Sequence, residues 1–137
     1  MDAAEIEEFL SRKPRLGSLL TLRKDGSPTG APVWFEWDGR ALWLFAESTS
    51  TKLTRIANDP RASFIIANDV GEPEAWVAFD GVAAVHDTGG FELAERLAPL
   101  YWNLEEPGPV ETLDTWRQGA EFFRLISIEP TKIRSYP

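Results

Sequence analysis

The chain has 137 residues, 43% hydrophobic and 26% charged, which is an ordinary globular composition. Its 22 acidic side chains outnumber 14 Lys and Arg, and the net charge of −8 excludes general binding to nucleic acid or anionic membranes, since both need a positive surface. The lack of cysteine and the single histidine, His86, exclude disulfides, thiol catalysis and multi-histidine metal sites. We expect one domain over residues 1–137, with no metal site and no catalytic group of side chains.

The N-terminus and the apolar runs bear on location. No apolar run approaches the roughly 18 residues that a membrane-spanning helix needs. The first residues, MDAAEIEEFLSRK, are acidic where a secretory signal is basic, and they contain no apolar segment of the kind that signals carry. We therefore expect a cytoplasmic protein.

The hydrophobic pattern predicts strands with a few short helices. In chain order we predict a helix over Ala4–Arg12, strands over Leu16–Arg23, Thr29–Trp37 and Arg40–Ala46, a helix over Ser50–Asn58, strands over Arg61–Asn68 and Glu74–His86, helices over Phe91–Leu97 and Val110–Gln118, and strands over Glu121–Ile128 and Thr131–Tyr136. The first three strands are expected to form a meander. Gly81 predicts a bulge, and Pro99 is expected to kink or end its helix. Short connections between strands favour a mainly β (α+β) antiparallel barrel.

The stretch from residue 32 to residue 60 carries the clearest functional pattern. A strand run ends in hydroxyl residues, and Ser50 and Thr51 open a helix whose first turns also contain Lys52 and Arg55. Hydroxyls and free backbone N–H groups at a helix N-terminus make an anion site, and the two cations lie on neighbouring helix surface. An ordinary N-cap with solvated cations is the alternative that the local sequence leaves open.

Other candidate residues give weaker signals. His86 ends a long predicted strand, where a lone histidine is more often structural than catalytic. Glu105 and Glu106 lie in a polar loop, where solvated surface is the simpler interpretation. Tyr101 and Trp102 end a helix, and they fit a core position, a dimer contact or a ring over a ligand. No dinucleotide fingerprint or Walker loop is present.

Three motifs taken together resemble one known family. They are L-x-T-L-R-x-D-G-x-P ending at Pro28, P-V-W-F-x-W-D-G over residues 32–39, and K-x-x-x-I-x-x-D-P-R over residues 52–61. The series resembles the flavin-binding split-barrel family, which includes pyridoxamine 5′-phosphate oxidase and the deazaflavin-dependent reductases of actinobacteria. The resemblance is sharpest over these roughly forty residues and extends more weakly over most of the chain.

The resemblance implies a fold, an assembly and a cofactor. The fold would be a six- to seven-stranded antiparallel split β-barrel, the FMN-binding split barrel, in a homodimer with its cofactor sites between subunits. The cofactor would be FMN, with coenzyme F-420, a deazaflavin, as the alternative. The resemblance implies that the backbone of one strand faces the tricyclic ring, at Pro32, Val33, Trp34 and Phe35. It also implies that the phosphate is bound by Ser50, Thr51 and Lys52, with Arg55 as a weaker candidate.

The implied function is a flavin- or deazaflavin-dependent oxidoreductase acting on a small-molecule substrate, and the alternative is a non-enzymatic FMN carrier or sensor. The last residues, 133–137, lack the arginine and histidine motifs with which full oxidases bind their substrate phosphate. A deazaflavin also carries an anionic tail that needs basic residues along its exit. Lys13, Arg15, Arg23 and Lys24, near the first predicted strand, are candidates for that role.

Overall fold

The structure is a computed structural model that describes residues 1–137. Its elements are α1 (Ala3–Ser11), β1 (Gly17–Leu22), β2 (Pro28–Val33), β3 (Glu36–Trp37), β4 (Leu42–Glu47), α2 (Thr51–Asn58), β5 (Arg61–Ala67), β6 (Trp76–His86), α3 (Gly90–Tyr101), α4 (Pro107–Gln118), a short 3₁₀ turn (Ala120–Phe122) and β7 (Phe123–Tyr136). None of the helices combines the length and the apolar character that crossing a bilayer requires.

All seven strands form one antiparallel sheet in the order β2-β1-β5-β6-β7-β4-β3. Strands β2 and β3 lie at its opposite edges, yet only Trp34 and Phe35 separate them in the chain. Three peptide steps span at most about 11 Å, so the sheet must curl until its edges approach each other. The expected antiparallel split barrel, of mixed α+β class, is therefore confirmed.

The predicted meander of the first three strands is present in part, as two hairpins, β1 with β2 and β3 with β4. Strand β1 pairs with β2 on one side and with β5 on the other, and β4 pairs with β3 and β7. The single strand expected over Thr29–Trp37 breaks at Trp34, where the chain leaves one edge of the sheet for the other. The turn at Asp38 and Gly39 does close a hairpin, with Gly39 at φ +91° and the Asp38 carboxylate accepting two backbone N–H groups.

The strands divide the apolar side chains between two sides of the curled sheet. Leu42 and Leu44 of β4 point into the barrel and are 0% and 1% exposed. Helices α1 and α2 add Ile6 and Ile56 to this interior core. Phe45, on the opposite side of β4, packs outside the barrel in a second cluster with residues of α3 and α4. The barrel therefore has an inner core and an outer, helix-covered one.

Helix α3 does not end at Pro99 but continues to Tyr101. Proline removes one helical hydrogen bond and normally breaks a helix. Here Leu97 and Ala98, in the preceding turn, are buried at 2% and 0% exposure. Packing of this turn against the sheet holds the helix in place past the proline, which the local sequence does not reveal.

Gly81 lies at an irregularity between β6 and β7. The register shifts there, because Asp80 pairs with Lys132 while Gly81 pairs with Pro130. The predicted bulge is confirmed, with its extra residue, Thr131, on the partner strand. The two strands expected over residues 121–136 are in consequence one bent strand, β7. A Cβ atom at position 81 would lie 2.4 Å from the Glu129 carbonyl oxygen, so only glycine fits.

Gly81→Ala should destabilise the protein by about 1–3 kcal/mol, because the added methyl group forces two backbones apart. The measurement is chemical denaturation followed by tryptophan fluorescence. Gly108→Ala is the matched control, since a Cβ there meets nothing within 4 Å and alanine is the better helix former. Equal stability of the two variants would show that the strand contact at Gly81 is not close.

An ion pair between a buried arginine and a partly exposed glutamate anchors the segment before β1. The Arg15 guanidinium, whose side chain is 1% exposed, donates to both oxygens of Glu72 at 2.7 and 3.0 Å. It also donates to the Phe9 carbonyl oxygen at 3.2 Å and lies 4.2 Å from the Phe9 ring centre. The hydrogen bonds from Arg15 lower the pKa of the Glu72 carboxyl from 4.5 to about 2. The pair ties the loop after β5 to α1.

A carboxyl group whose pKa is lowered by folding stabilises the fold above its ordinary pKa and loses that contribution as the pH falls. The stability of the protein should therefore drop between about pH 4.5 and pH 2, the window set by Glu72. Glu72→Gln should lower the melting temperature at pH 7 and flatten this dependence. Melting curves across the window test the idea, with Glu74→Gln in the same loop as control. An unchanged slope in Glu72→Gln would contradict it.

Candidate functional site

A cavity of about 370 Å³ opens where the ends of β2 and β4 meet the N-terminus of α2 and the side of α4. Its lining residues are Pro32, Val33, Trp34, Phe45, Ala46, Glu47, Thr49, Ser50, Lys52, Trp116 and Phe123. One end is polar and contains the start of α2, and the other end is a wall of aromatic rings. The two segments singled out by sequence therefore border one space.

The polar end is built by the capped helix α2. The Ser50 hydroxyl accepts the Lys52 backbone N–H at 3.3 Å, and the Ser50 N–H donates to the Glu47 carbonyl at 2.8 Å. These bonds fix the turn that leads from β4 into the helix. Lys52 is half-buried and has no carboxylate within ion-pair distance. This end of the cavity offers an unpaired cation beside a positive helix terminus.

The apolar end is organised around the indole of Trp34. This ring stacks on Tyr101, with centroids 5.0 Å apart and planes 8° from parallel. It meets Phe45 and Trp102 edge-on, at 5.7 and 4.6 Å. Trp116 of α4 lies 5.7 Å from the Phe45 ring. Aromatic pairs in these geometries hold each other in place, so the wall is rigid.

Tyr101 holds the chain crossing from β2 to β3. Its hydroxyl donates to the Arg15 carbonyl oxygen at 2.7 Å and accepts the Phe35 N–H at 3.4 Å. Burial raises the pKa of this phenol above its usual value, so it stays protonated and able to donate. Tyr101 and Trp102 are half-buried and pack against the Trp34 ring.

Three of the eight residues inferred from the resemblance lie outside the cavity. The Phe35 ring points into the barrel, 5.3 Å from Phe64. Arg55 donates from Nε to the Thr21 hydroxyl at 3.0 Å and from Nη1 to the Thr51 hydroxyl at 3.1 Å. The first bond joins α2 to β1, and the second lies within α2. The other five, Pro32, Val33, Trp34, Ser50 and Lys52, line the cavity.

Several residues that line the cavity are not among those inferred from the sequence. Phe45 and Glu47 face the cavity because alternate residues of β4 point outward, a period-two signal that the apolar run partly hides. Trp116 and Phe123 arrive from α4 and β7, far along the chain. No local sequence pattern identifies these two residues as part of a site, because the strand order and the packing of the second cluster place them at the cavity.

Neither His86 nor the basic residues near β1 form a site. The His86 Nε2 atom lies 2.8 Å from the Ser127 hydroxyl, and no carboxylate is hydrogen-bonded to its ring. Lys13 and Arg15 are ion-paired before β1 begins. Arg23 and Lys24 follow its end, about 20 Å away along six strand residues. The four cations therefore do not make one basic exit path.

A second groove is larger, at about 510 Å³, but its charges are neutralised. It lies over the bend at Gly81, and its two charged lining residues are Arg61 and Asp80. Arg61 bonds the Asp59 carboxylate at 2.8 Å, and Asp80 accepts from Arg134 at 2.7 Å. The smaller cavity, with its unpaired lysine and aromatic wall, is the better binding site for a charged ring compound.

Solved structures resemble the whole chain. A conserved hypothetical protein of Mycobacterium tuberculosis is 27% identical with a TM-score of 0.74, and the match covers 99% of this chain and 84% of that one. An F420 reductase is 21% identical with a TM-score of 0.71, covering 93% and 94%. A heme binding protein of Mycobacterium smegmatis is 23% identical with a TM-score of 0.66, covering 99% of this chain and 54% of that one.

No protein with a curated description matches the sequence. The family model described as pyridoxamine 5′-phosphate oxidase matches residues 3–134, which is nearly the whole chain. The structural matches include a protein described as a pyridoxamine 5′-phosphate oxidase of Listeria innocua, 18% identical with a TM-score of 0.69 over 97% of this chain and 96% of that one. The chain therefore belongs to the pyridoxamine 5′-phosphate oxidase family.

Proposed function

We propose that the cavity binds a flavin-type cofactor, either FMN or the deazaflavin coenzyme F-420, and that the protein is an oxidoreductase using it on a small-molecule substrate. The observation that supports this most directly is the pairing of a rigid aromatic wall with an unpaired Lys52 at a helix N-terminus in one cavity. A tricyclic ring with a phosphate has the complementary shape and charge. Family membership and the resemblance to an F420 reductase point the same way.

The donor set of the cavity fits such a group. Its volume of about 370 Å³ lies within the range of roughly 300–1,000 Å³ usual for small-molecule sites. Ser50 and Lys52 would hold the phosphate, with help from the N–H groups of the first helical turn. Trp34 and Phe45 would border the ring and exclude water from it. When bound, the cofactor supplies the hydride chemistry, and the protein supplies binding and orientation.

A non-enzymatic FMN carrier or sensor is the second candidate. It is supported by the sparse chemistry of the cavity, whose only titratable lining residues are Glu47 and Lys52. An oxidoreductase of this kind needs no side-chain acid or base, so the two candidates share one site. Reduction of an electron acceptor by the loaded, pre-reduced protein separates them, since a carrier would bind the cofactor without turnover.

Lys52→Ala should weaken FMN binding about 10- to 150-fold, because one charge-assisted contact contributes roughly 1.5–3 kcal/mol. Riboflavin, which lacks the phosphate, should bind nearly unchanged. Calorimetric titration of both ligands makes the measurement. Lys24→Ala removes an exposed lysine at the far end of β1 and serves as control. An equal loss for riboflavin would mean that Lys52 does not hold the phosphate, and no loss for either ligand would leave the turn an ordinary helix cap.

We also propose that the protein is a homodimer that uses the outer side of β1, β5 and β6. Leu16, Leu20 and Tyr136 are 56%, 39% and 48% exposed on this side or at its margin. Pro32, which lines the cavity, pairs with Ser18 on the same sheet. A second copy on this side would cover the apolar residues and border the cavity.

Sedimentation should show a dimer at micromolar concentration, since stable homodimers bury large apolar surfaces. Leu20→Glu should shift the protein to a folded monomer, because it places a charge in the proposed interface. Val70→Glu, at a fully exposed loop residue, should leave the dimer intact. A wild-type protein that sediments as a stable monomer would refute the assembly.

A further inference from the structure

The charge lining the cavity is the unusual feature of the site. Among its eleven lining residues, one is a cation, Lys52, and one is an anion, Glu47. Neither makes an ion pair with any residue of the chain. Glu47 is the last residue of β4 and is exposed, so its carboxylate stays solvated at the mouth of the cavity. A bound phosphate would meet both charges.

The charges of Lys52 and Glu47 nearly cancel, and the N-terminus of α2 adds roughly half a positive charge. A phosphate monoester such as that of FMN carries about −1.5 to −2 near neutral pH. A phosphate diester carries about −1, as each unit of a nucleic-acid backbone does. Attraction to the lining grows in proportion to the ligand charge, whereas the cost of removing an ion from water grows with its square. A weakly positive lining therefore favours the diester.

We propose that Glu47 is a specificity-determining residue that disfavours a second negative charge on the bound phosphate. The inference rests on the proposed flavin-type site and narrows its ligand class. The site would favour a ring compound whose phosphate is esterified on both sides over FMN, whose phosphate is a monoester. Lys52 attracts the phosphate, and Glu47 sets how much charge it can carry.

The expected sizes follow from Coulomb's law. A carboxylate about 7 Å from a ligand charge in water changes binding by about threefold for one charge and about sevenfold for two. Replacing Glu47 by glutamine removes that repulsion with little change in shape. The effect should therefore scale with ligand charge and disappear for a neutral ligand. Screening predicts that it shrinks between about 0.05 M and about 1 M salt.

Three ligands with the same ring test the proposal: riboflavin, its 5′-phosphate FMN, and the methyl ester of FMN, a diester. In the wild type, the diester should bind at least as tightly as FMN. Glu47→Gln should leave the binding of riboflavin unchanged and strengthen that of the diester about threefold and that of FMN about four- to sevenfold. Lys52→Gln should weaken the binding of FMN most, that of the diester less and that of riboflavin least. Glu129→Gln, an exposed carboxylate at the β7 bend outside the cavity, is the control and should change none of them.

Two results would overturn the role of Glu47. One is an equal change for all three ligands in Glu47→Gln, which would place the residue against the ring or in the fold. The other is a wild type that binds FMN much more tightly than the diester. Failure of the wild type to bind riboflavin or either phosphate would instead refute the flavin site itself. The melting temperature of each variant, measured without ligand, separates loss of folding from loss of binding.

Discussion

The structure depends on the two-residue segment that connects the opposite edges of the sheet. Trp34 and Phe35 carry the chain from the first edge of the sheet to the last, so a seven-stranded sheet has to curl around its own core. Neighbouring residues in an extended segment point to opposite sides. Phe35 therefore enters the barrel, against Phe64, and Trp34 faces outward, where it forms the wall of the cavity. Barrel closure and site formation are consequences of the same two residues.

That crossing is held from outside by α3. Tyr101 accepts the Phe35 N–H, donates to the Arg15 carbonyl and stacks on Trp34, so it fixes both the backbone and the ring. Arg15 is itself held by the bond to Glu72. The position of the aromatic wall thus depends on a chain of contacts that reaches from β3 back to the loop after β5. Changes in that loop would reach the cavity through packing and hydrogen bonds, without touching any ligand.

What sequence could predict was local. The turn at Gly39, the cap at Ser50 and the bulge at Gly81 each follow from the conformational preferences of a few adjacent residues, and all three are present. The strand order was not predictable. Strand β4 pairs with β7, which lies some eighty residues further along the chain, and no short sequence pattern encodes the packing that brings them together. For the same reason, two of the residues that line the cavity, Trp116 and Phe123, had no signal in the chain.

The remaining question is how an acidic protein draws an anionic ligand into such a cavity. With a net charge of −8, the average surface repels phosphate, so attraction has to come from local groups. Most arginines near the barrel are committed to carboxylates or to hydroxyls, as Arg15 and Arg55 are. Lys52 keeps its charge free, and it sits where the helix terminus and a low-dielectric aromatic wall strengthen its field. A single cation can then suffice at this end of the cavity, provided that the bound phosphate carries little more charge than that cation can balance.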